Sequence, residues 1–137
     1  MQIREIKLTE LHLGYELIKL ETNIDYKEYE DLIYQMIKEN YKIITIIEKE
    51  KAVVYAGVKI ETNLSYKKHL HIYELITFKD KRYIYYTNEM LSYLIDYARI
   101  NQCKNIILSV NKKNSEIDDL LIKNSFIQEE IIKIKEL

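Results

Sequence analysis

The segment Leu70–Val110, LHIYELITFKDKRYIYYTNEMLSYLIDYARINQCKNIILSV, decides the fold. Leu70–Phe78 is a strand-like run of aliphatic and aromatic residues bounded by the polar Lys79–Arg82. A strong helical stripe follows, with Met90, Leu91, Leu94, Ile95 and Ala98 on one side and Asn88 placed as an N-cap. Asn105–Val110, NIILSV, reads as a short buried strand. Strand, helix and strand in this order predict a right-handed crossover joining two parallel strands. The connection between the first strand and the helix is unusual. It carries Lys79, Lys81 and Arg82 and then Tyr83, Tyr85 and Tyr86.

Upstream, Ile43–Ile47 and Ala52–Glu61 are two further strand runs, separated by the turn-like Lys49–Lys51. Short connections make them antiparallel neighbours of each other and of Leu70–Phe78. Before them, Tyr29, Leu32, Ile33, Met36 and Ile37 fall at i, i+3, i+4, i+7 and i+8, one face of a helix. An earlier helix is expected from about Glu10, capped by Thr9, with Leu11, Tyr15 and Ile18 on its stripe and Leu13, Leu17 and Leu20 beside it. Met1–Leu8 reads as a first strand. Downstream, Ser115 and Asp118 have the spacing of a capping box and open a last helix, apolar at Ile117, Leu120 and Leu121. Phe126–Lys135 alternates at Ile132 and Ile134 and is expected to be a final strand. The predicted order is β-α-α-β-β-β-α-β-α-β, a mixed α/β layered fold with a mostly antiparallel sheet. No linker or repeat divides the chain, so residues 1–137 are read as one domain.

Composition narrows the function classes. A chain of 137 residues, 47% hydrophobic and 31% charged, fits a soluble globular domain with a real core. Lys and Arg number 21 against 22 Asp and Glu, so no global field would recruit nucleic acid or an anionic membrane. No apolar run is long enough for a membrane span, and Met1–Leu8 lacks the order of a secretion signal. A single cysteine, Cys103, offers no disulfide framework, and the cytoplasm is the expected compartment. Cys103 itself is expected to be a small core residue.

The order of elements and several local sequences resemble the GNAT family N-acetyltransferases. Leu70–Val110 looks like that family's central strand, cofactor loop, long helix and next strand. YARINQCKNIILSV, Tyr97–Val110, LLIKNSF, Leu120–Phe126, and the hairpin YKIITIIEKEKAVVYAGVKI, Tyr41–Ile60, are similar to other family passages. The resemblance implies acetyl-CoA as cofactor, lying in a V-shaped gap where the central strand splays from its neighbour. It implies main-chain contacts to the pantetheine arm at Ile76 and Phe78. It further implies a pyrophosphate loop of the form [RQ]-x-x-G-x-[GA], in which glycine lets phosphate oxygens approach backbone amides at a helix start.

On this alignment the cofactor-binding positions are Ile76, Phe78, Arg82, Tyr83, Tyr85, Thr87 and Asn88. Arg82 falls on the family's arginine, Tyr85 on its first glycine and Thr87 on its Gly/Ala position. The Tyr85 ring must then point away from the phosphate channel or occupy it. The tyrosine that serves the family as general acid falls on Leu121, which has no proton to donate. The glycine of its terminal Gly-Phe pair is replaced by Ser125. Glu74 is the carboxylate within the central strand and is the possible base, although an acid there also serves structural ends.

Other features carry less. His69 and His71 share a strand face, but no acid at convincing ligand spacing joins them, and no metal is expected. His12 has no evident catalytic partner. The tyrosine-rich, basic Lys79–Tyr86 could stack bases, but it is short and the chain carries no net positive charge. Two function classes follow. One is a divergent relative that has weakened or lost acetyl-CoA binding and catalysis and acts by binding a protein partner or another ligand. The other is an active acetyl-CoA-dependent enzyme transferring acetyl to a small-molecule or protein amine by direct attack. A homodimer is a further expectation of the resemblance.

Overall fold

Among the described residues, the strand runs come together in one five-stranded sheet, side by side in their order along the chain. The computed structural model describes residues 1–109 and 115–137, without the side chain of Ser115. Strand β1 is Gln2–Glu5, followed by a single 3-10 turn at Leu8–Glu10. Helices α1, Leu11–Glu21, and α2, Tyr26–Ile37, come next, and α2 is capped by Asp25, whose carboxylate accepts from the Glu28 amide at 2.9 Å. Strands β2, Lys42–Glu48, β3, Lys51–Asn63, and β4, Lys67–Thr77, form the antiparallel meander. Helix α3, Tyr83–Ile100, leads to β5, Asn105–Leu108, and helix α4 is Ser115–Lys123. β5 runs parallel to β4, as the strand–helix–strand pattern predicts.

The two faces of the sheet bury different partners. On one, Ile44, Ile46, Val54, Val58, Leu70 and Ile72 meet Tyr86, Met90, Leu94 and Ala98 of α3. Met90 and Leu94 are wholly buried, and burial of each such side chain stabilises by about 1.5–3 kcal/mol. On the other, Tyr41, Ile43, Tyr55 and Ile76 meet Leu11, Leu17 and Ile18 of α1 and Tyr29 and Ile33 of α2. A third cluster joins Leu91 of α3 to Leu120 and Leu121 of α4, with Leu75 and Leu108 against it.

Several elements differ from expectation. β1 ends at Glu5 and not at Leu8: the Ile6 amide makes the last bond to β2, at the Ile43 carbonyl, and the chain then enters the 3-10 turn at Leu8. The first helix is not capped by Thr9. Glu10 closes that turn instead, accepting from the Lys7 amide at 2.9 Å and pairing with Arg4 at 2.7 Å. Helix α3 starts at Tyr83, so Asn88 is not an N-cap; it lies exposed in the second turn. β5 is half-buried and not fully buried, since it forms the sheet's last strand. Phe126–Lys135 forms no strand: residues 126–137 have no regular structure, and Ile132 and Ile134 are exposed. An alternating pattern needs an edge to pair with, and this segment pairs with none. Val110, the expected end of β5, and the capping side chain of Ser115 lie outside the described residues. No helix among the described residues is long and apolar enough to cross a membrane.

Candidate functional site

The site is organised by one extra residue in β4. The register runs Val58↔Ile72 and then Gly57↔Glu74, so Tyr73 is a bulge. Before the bulge, the Lys68 and Ile72 carbonyls face β5, accepting from Lys104 and Ser109. After it the alternation is reversed. The Phe78 amide donates to the Val53 carbonyl of β3 at 2.9 Å, and Ile76, two residues away, faces the same side. The expected pantetheine contacts at Ile76 and Phe78 are therefore already engaged in the β3 ladder. The main-chain groups that face away from β3 are those of Leu75 and Thr77. The β4–β5 ladder itself covers only His69–Ile72 against Asn105–Leu108 and closes with Ser109 N–H to the Ile72 carbonyl at 3.1 Å. Beyond it β4 continues to Thr77 without this neighbour.

The bulge also turns Glu74 onto the α1–α2 face. The Tyr41 hydroxyl donates to Glu74 Oε1, and the Tyr55 hydroxyl lies 2.9 Å from that of Tyr41. Tyr41 has one proton and gives it to the carboxylate, so Tyr55 is the donor to Tyr41. Tyr29 completes the group, donating to the Leu11 carbonyl at 3.3 Å. Burial raises the Glu74 pKa, opposed by the Tyr41 hydrogen bond and the Lys59 charge, which lower it. Burial likewise pushes the Tyr41 and Tyr55 phenols well above their ordinary range. The sequence shows Glu74 but not its tyrosine partners: Tyr41 stands just before β2 and Tyr55 lies in β3, and strand pairing brings both to it. The space for this contact is made by Gly57: a Cβ there would lie 2.5 Å from Tyr41 Cζ and closer still to the Glu74 carboxylate.

The loop between β4 and α3 is closed by its own acid. Asp80 Oδ1 accepts from the Arg82 amide at 2.7 Å, and the Asp80 carbonyl accepts from the Tyr83 amide at 3.4 Å. A carboxylate thus already meets the positive end of the α3 dipole. The Tyr85 ring points outward, 43% exposed, and does not fill the space between strands. It and Tyr86 hold the Arg82 guanidinium between them, at 4.8 and 4.9 Å from the ring centroids. Thr87 is fully buried, and its hydroxyl is committed to the Tyr83 carbonyl and to Thr77 Oγ1, both at 2.7 Å. Tyr83 reaches across to α4, donating to the Glu116 carboxylate. Asn88 faces the end of α4, where Asn124 Nδ2 is 3.5 Å away.

On α4, Leu121 is buried against Leu91 and offers no proton. Ser125 has φ 67°, the left-handed conformation that favours glycine. The Phe126 amide returns to the Leu121 carbonyl and the Ser125 amide to that of Ile122, both at 2.9 Å, which closes the helix.

Solved structures share this fold over nearly the whole chain. An aminoglycoside 6'-N-acetyltransferase from Acinetobacter haemolyticus superimposes with TM-score 0.80 at 11% identity, covering 100% of this chain and 99% of that one. Glucosamine-6-phosphate N-acetyltransferase from Arabidopsis thaliana gives TM-score 0.76 at 20% identity, covering 98% and 97%. The fold is that of the GNAT acetyltransferases. An aminoglycoside N-acetyltransferase solved in complex with CoA has the same fold, with TM-score 0.78 at 10% identity and coverage of 98% and 93%. No protein-family model matches the sequence, and no curated protein matches it. At these identities the likeness shows the GNAT fold alone.

Sequence reasoning missed one grouping. Glu61 of β3 stands directly opposite His69 in the β3–β4 register, so that Glu61, His69 and His71 offer ligand atoms within 4.8 Å of one another. The signal was present in the hairpin: Glu61 and His69 are equally spaced about the Leu64–Tyr66 turn.

Proposed function

We propose that this chain is a divergent GNAT-fold protein whose acetyl-CoA binding is weakened or lost, and which acts by binding a protein partner or another ligand. The observation that carries this reading is the Asp80 carboxylate on the Arg82 amide at 2.7 Å. A pyrophosphate would have to displace that carboxylate or sit beside its like charge. The engaged Thr87 hydroxyl and the leucine at position 121 support the same reading.

A second reading is favoured by Glu74. A carboxylate with a raised pKa beside a strand bulge suits a general base. In that case acetyl-CoA would lie beyond the end of the β4–β5 ladder, and an amine would attack the thioester directly with Glu74 taking the proton. Holding the reactants together supplies much of such a rate, so the missing acid does not forbid activity.

Thermal melts with and without millimolar acetyl-CoA separate the two. Under the first reading the wild type does not shift, and Asp80→Ala, which frees the amide, gains a shift. Cofactor present at 100 times its Kd would stabilise by about 2.7 kcal/mol. A wild-type shift of that size, accompanied by CoA release with an amine panel and loss of that release in Glu74→Gln, would overturn the first reading and establish the second.

A further inference from the structure

The α1–α2 face of the β3–β4 hairpin carries a second grouping, Glu61, His69 and His71. His71 Nδ1 lies 3.3 Å and His69 Nε2 3.9 Å from the same oxygen, Glu61 Oε1. The other nitrogen of each ring is already held. His69 Nδ1 is 2.8 Å from the Lys67 carbonyl, and His71 Nε2 is 2.8 Å from Ser109 Oγ. A carbonyl can only accept, so His69 Nδ1 carries the proton, and in the neutral ring Nε2 presents a lone pair towards the carboxylate. Two electron-pair donors face each other there at a distance beyond hydrogen-bond reach. A cation between them resolves that arrangement.

We propose that Glu61, His69 and His71 form a binding site for a divalent transition ion of the zinc class. Two imidazoles and one carboxylate are a donor set that zinc accepts, with the fourth position open to water. Bonds of 2.0–2.2 Å in a tetrahedral arrangement place neighbouring donor atoms about 3.4 Å apart. The His71–Glu61 separation of 3.3 Å already matches this, and small ring rotations bring in His69.

The supporting groups are those expected around metal ligands. Besides the Lys67 carbonyl and Ser109, the Tyr73 hydroxyl donates to Glu61 Oε1 at 2.6 Å, and its ring stacks on His71 at 3.8 Å with an interplanar angle of 8°. Each ligand is thus oriented by an outer partner. His69 is almost wholly buried, whereas the Glu61 side chain is 34% exposed, which leaves a path for an ion from solvent. Ligands and supports stand on paired strands, a rigid base for such a site. The proposal is independent of how acetyl-CoA is bound.

The test uses the full chain without affinity histidines, stripped with chelator and titrated with Zn²⁺ by calorimetry. Cobalt substitution supplies a second readout, the visible absorption of a tetrahedral ion. The expected result is one ion per chain. His71→Ala and Glu61→Gln should weaken binding at least about 100-fold, and Tyr73→Phe about 10-fold. His12→Ala, a change on the exposed side of α1, should bind as wild type. Circular dichroism of each variant identifies loss of fold, and the nearly isosteric Glu61→Gln and Tyr73→Phe keep the test valid if a histidine variant unfolds. Failure of the folded wild type to bind Zn²⁺ at micromolar concentration would overturn the proposal. Binding that survives both His71→Ala and Glu61→Gln would do the same.

Discussion

Replacing Gly57 by alanine should cost this protein far more than a methyl group ordinarily does. Gly57 has no positive φ, so its role is space and not backbone freedom. The added Cβ would stand 2.5 Å from Tyr41 Cζ, where ordinary contact needs about 3.5 Å or more. Something must move by about 1 Å. The Tyr41 ring has little room to do so, because it is 2% exposed and its hydroxyl is tied to Tyr55, itself fully buried. Overpacking of this kind costs about 1–3 kcal/mol. If the ring moves, it also gives up its hydrogen bond to the Glu74 carboxylate, a charged-acceptor bond contributing about 1.5–3 kcal/mol. Against this, alanine restricts the unfolded chain by about 0.4–1 kcal/mol. The net loss expected is about 1.5–5.5 kcal/mol, or a Tm lower by roughly 5–16 °C for a chain of this size. Urea denaturation followed by circular dichroism measures it. Gly14→Ala provides the comparison, since its Cβ would meet the Tyr29 hydroxyl and Tyr55 Cε2 at a milder 2.9 Å and should cost less. A Gly57→Ala loss under about 0.5 kcal/mol, or one smaller than that of Gly14→Ala, would refute the placement of Tyr41 and Glu74 over Gly57.

Two further outcomes follow from the same geometry. Ser125→Gly should stabilise the protein by up to about 1 kcal/mol, because relief of the left-handed φ outweighs glycine's extra unfolded-state entropy; an unchanged or lowered urea midpoint would count against that φ. Glu74→Gln should change the pH dependence of stability: burial raises the folded-state pKa of Glu74, so its contribution is full below the unfolded value of about 4.3 and is lost as pH rises through the folded value. The glutamine variant should therefore gain on the wild type between about pH 4 and about pH 8, and an identical stability difference at the two pH values would contradict a raised pKa.

What could be read from the sequence depended on whether the deciding physics was local. The helical stripes at Tyr29–Ile37 and Met90–Ala98 and the three runs of the meander were legible, because periodicity and short turns determine them. The start of α3 was not, because Asp80 closes the loop through its own carboxylate and lets Tyr83 enter the helix five residues before Asn88. Nor was the failure of Phe126–Lys135 to form a strand, since alternation describes a face and says nothing of an available edge. The candidate site was legible in its residues and illegible in its partners. Glu74 was visible, while Tyr41, Tyr55 and Gly57 reach it through strand pairing.

The bulge at Tyr73 links these observations. A strand in perfect register would continue the alternation set by Ile72, sending Glu74 to the α3 face and the main-chain groups of Ile76 and Phe78 away from β3. The single extra residue reverses both. It places Glu74 under Tyr41 and turns the main-chain groups of Leu75 and Thr77 to the side that β5 leaves, so that Glu74 joins the face that His69, His71 and Tyr73 already share by alternation. Neighbouring residues thereby serve two different groupings, the carboxylate network and the histidine pair. The bulge accounts for the first grouping, whereas the second follows from the alternation of β4 and the β3–β4 register before it. The same pairing of β3 with β4 thus sets Glu74 opposite Gly57 and Glu61 opposite His69.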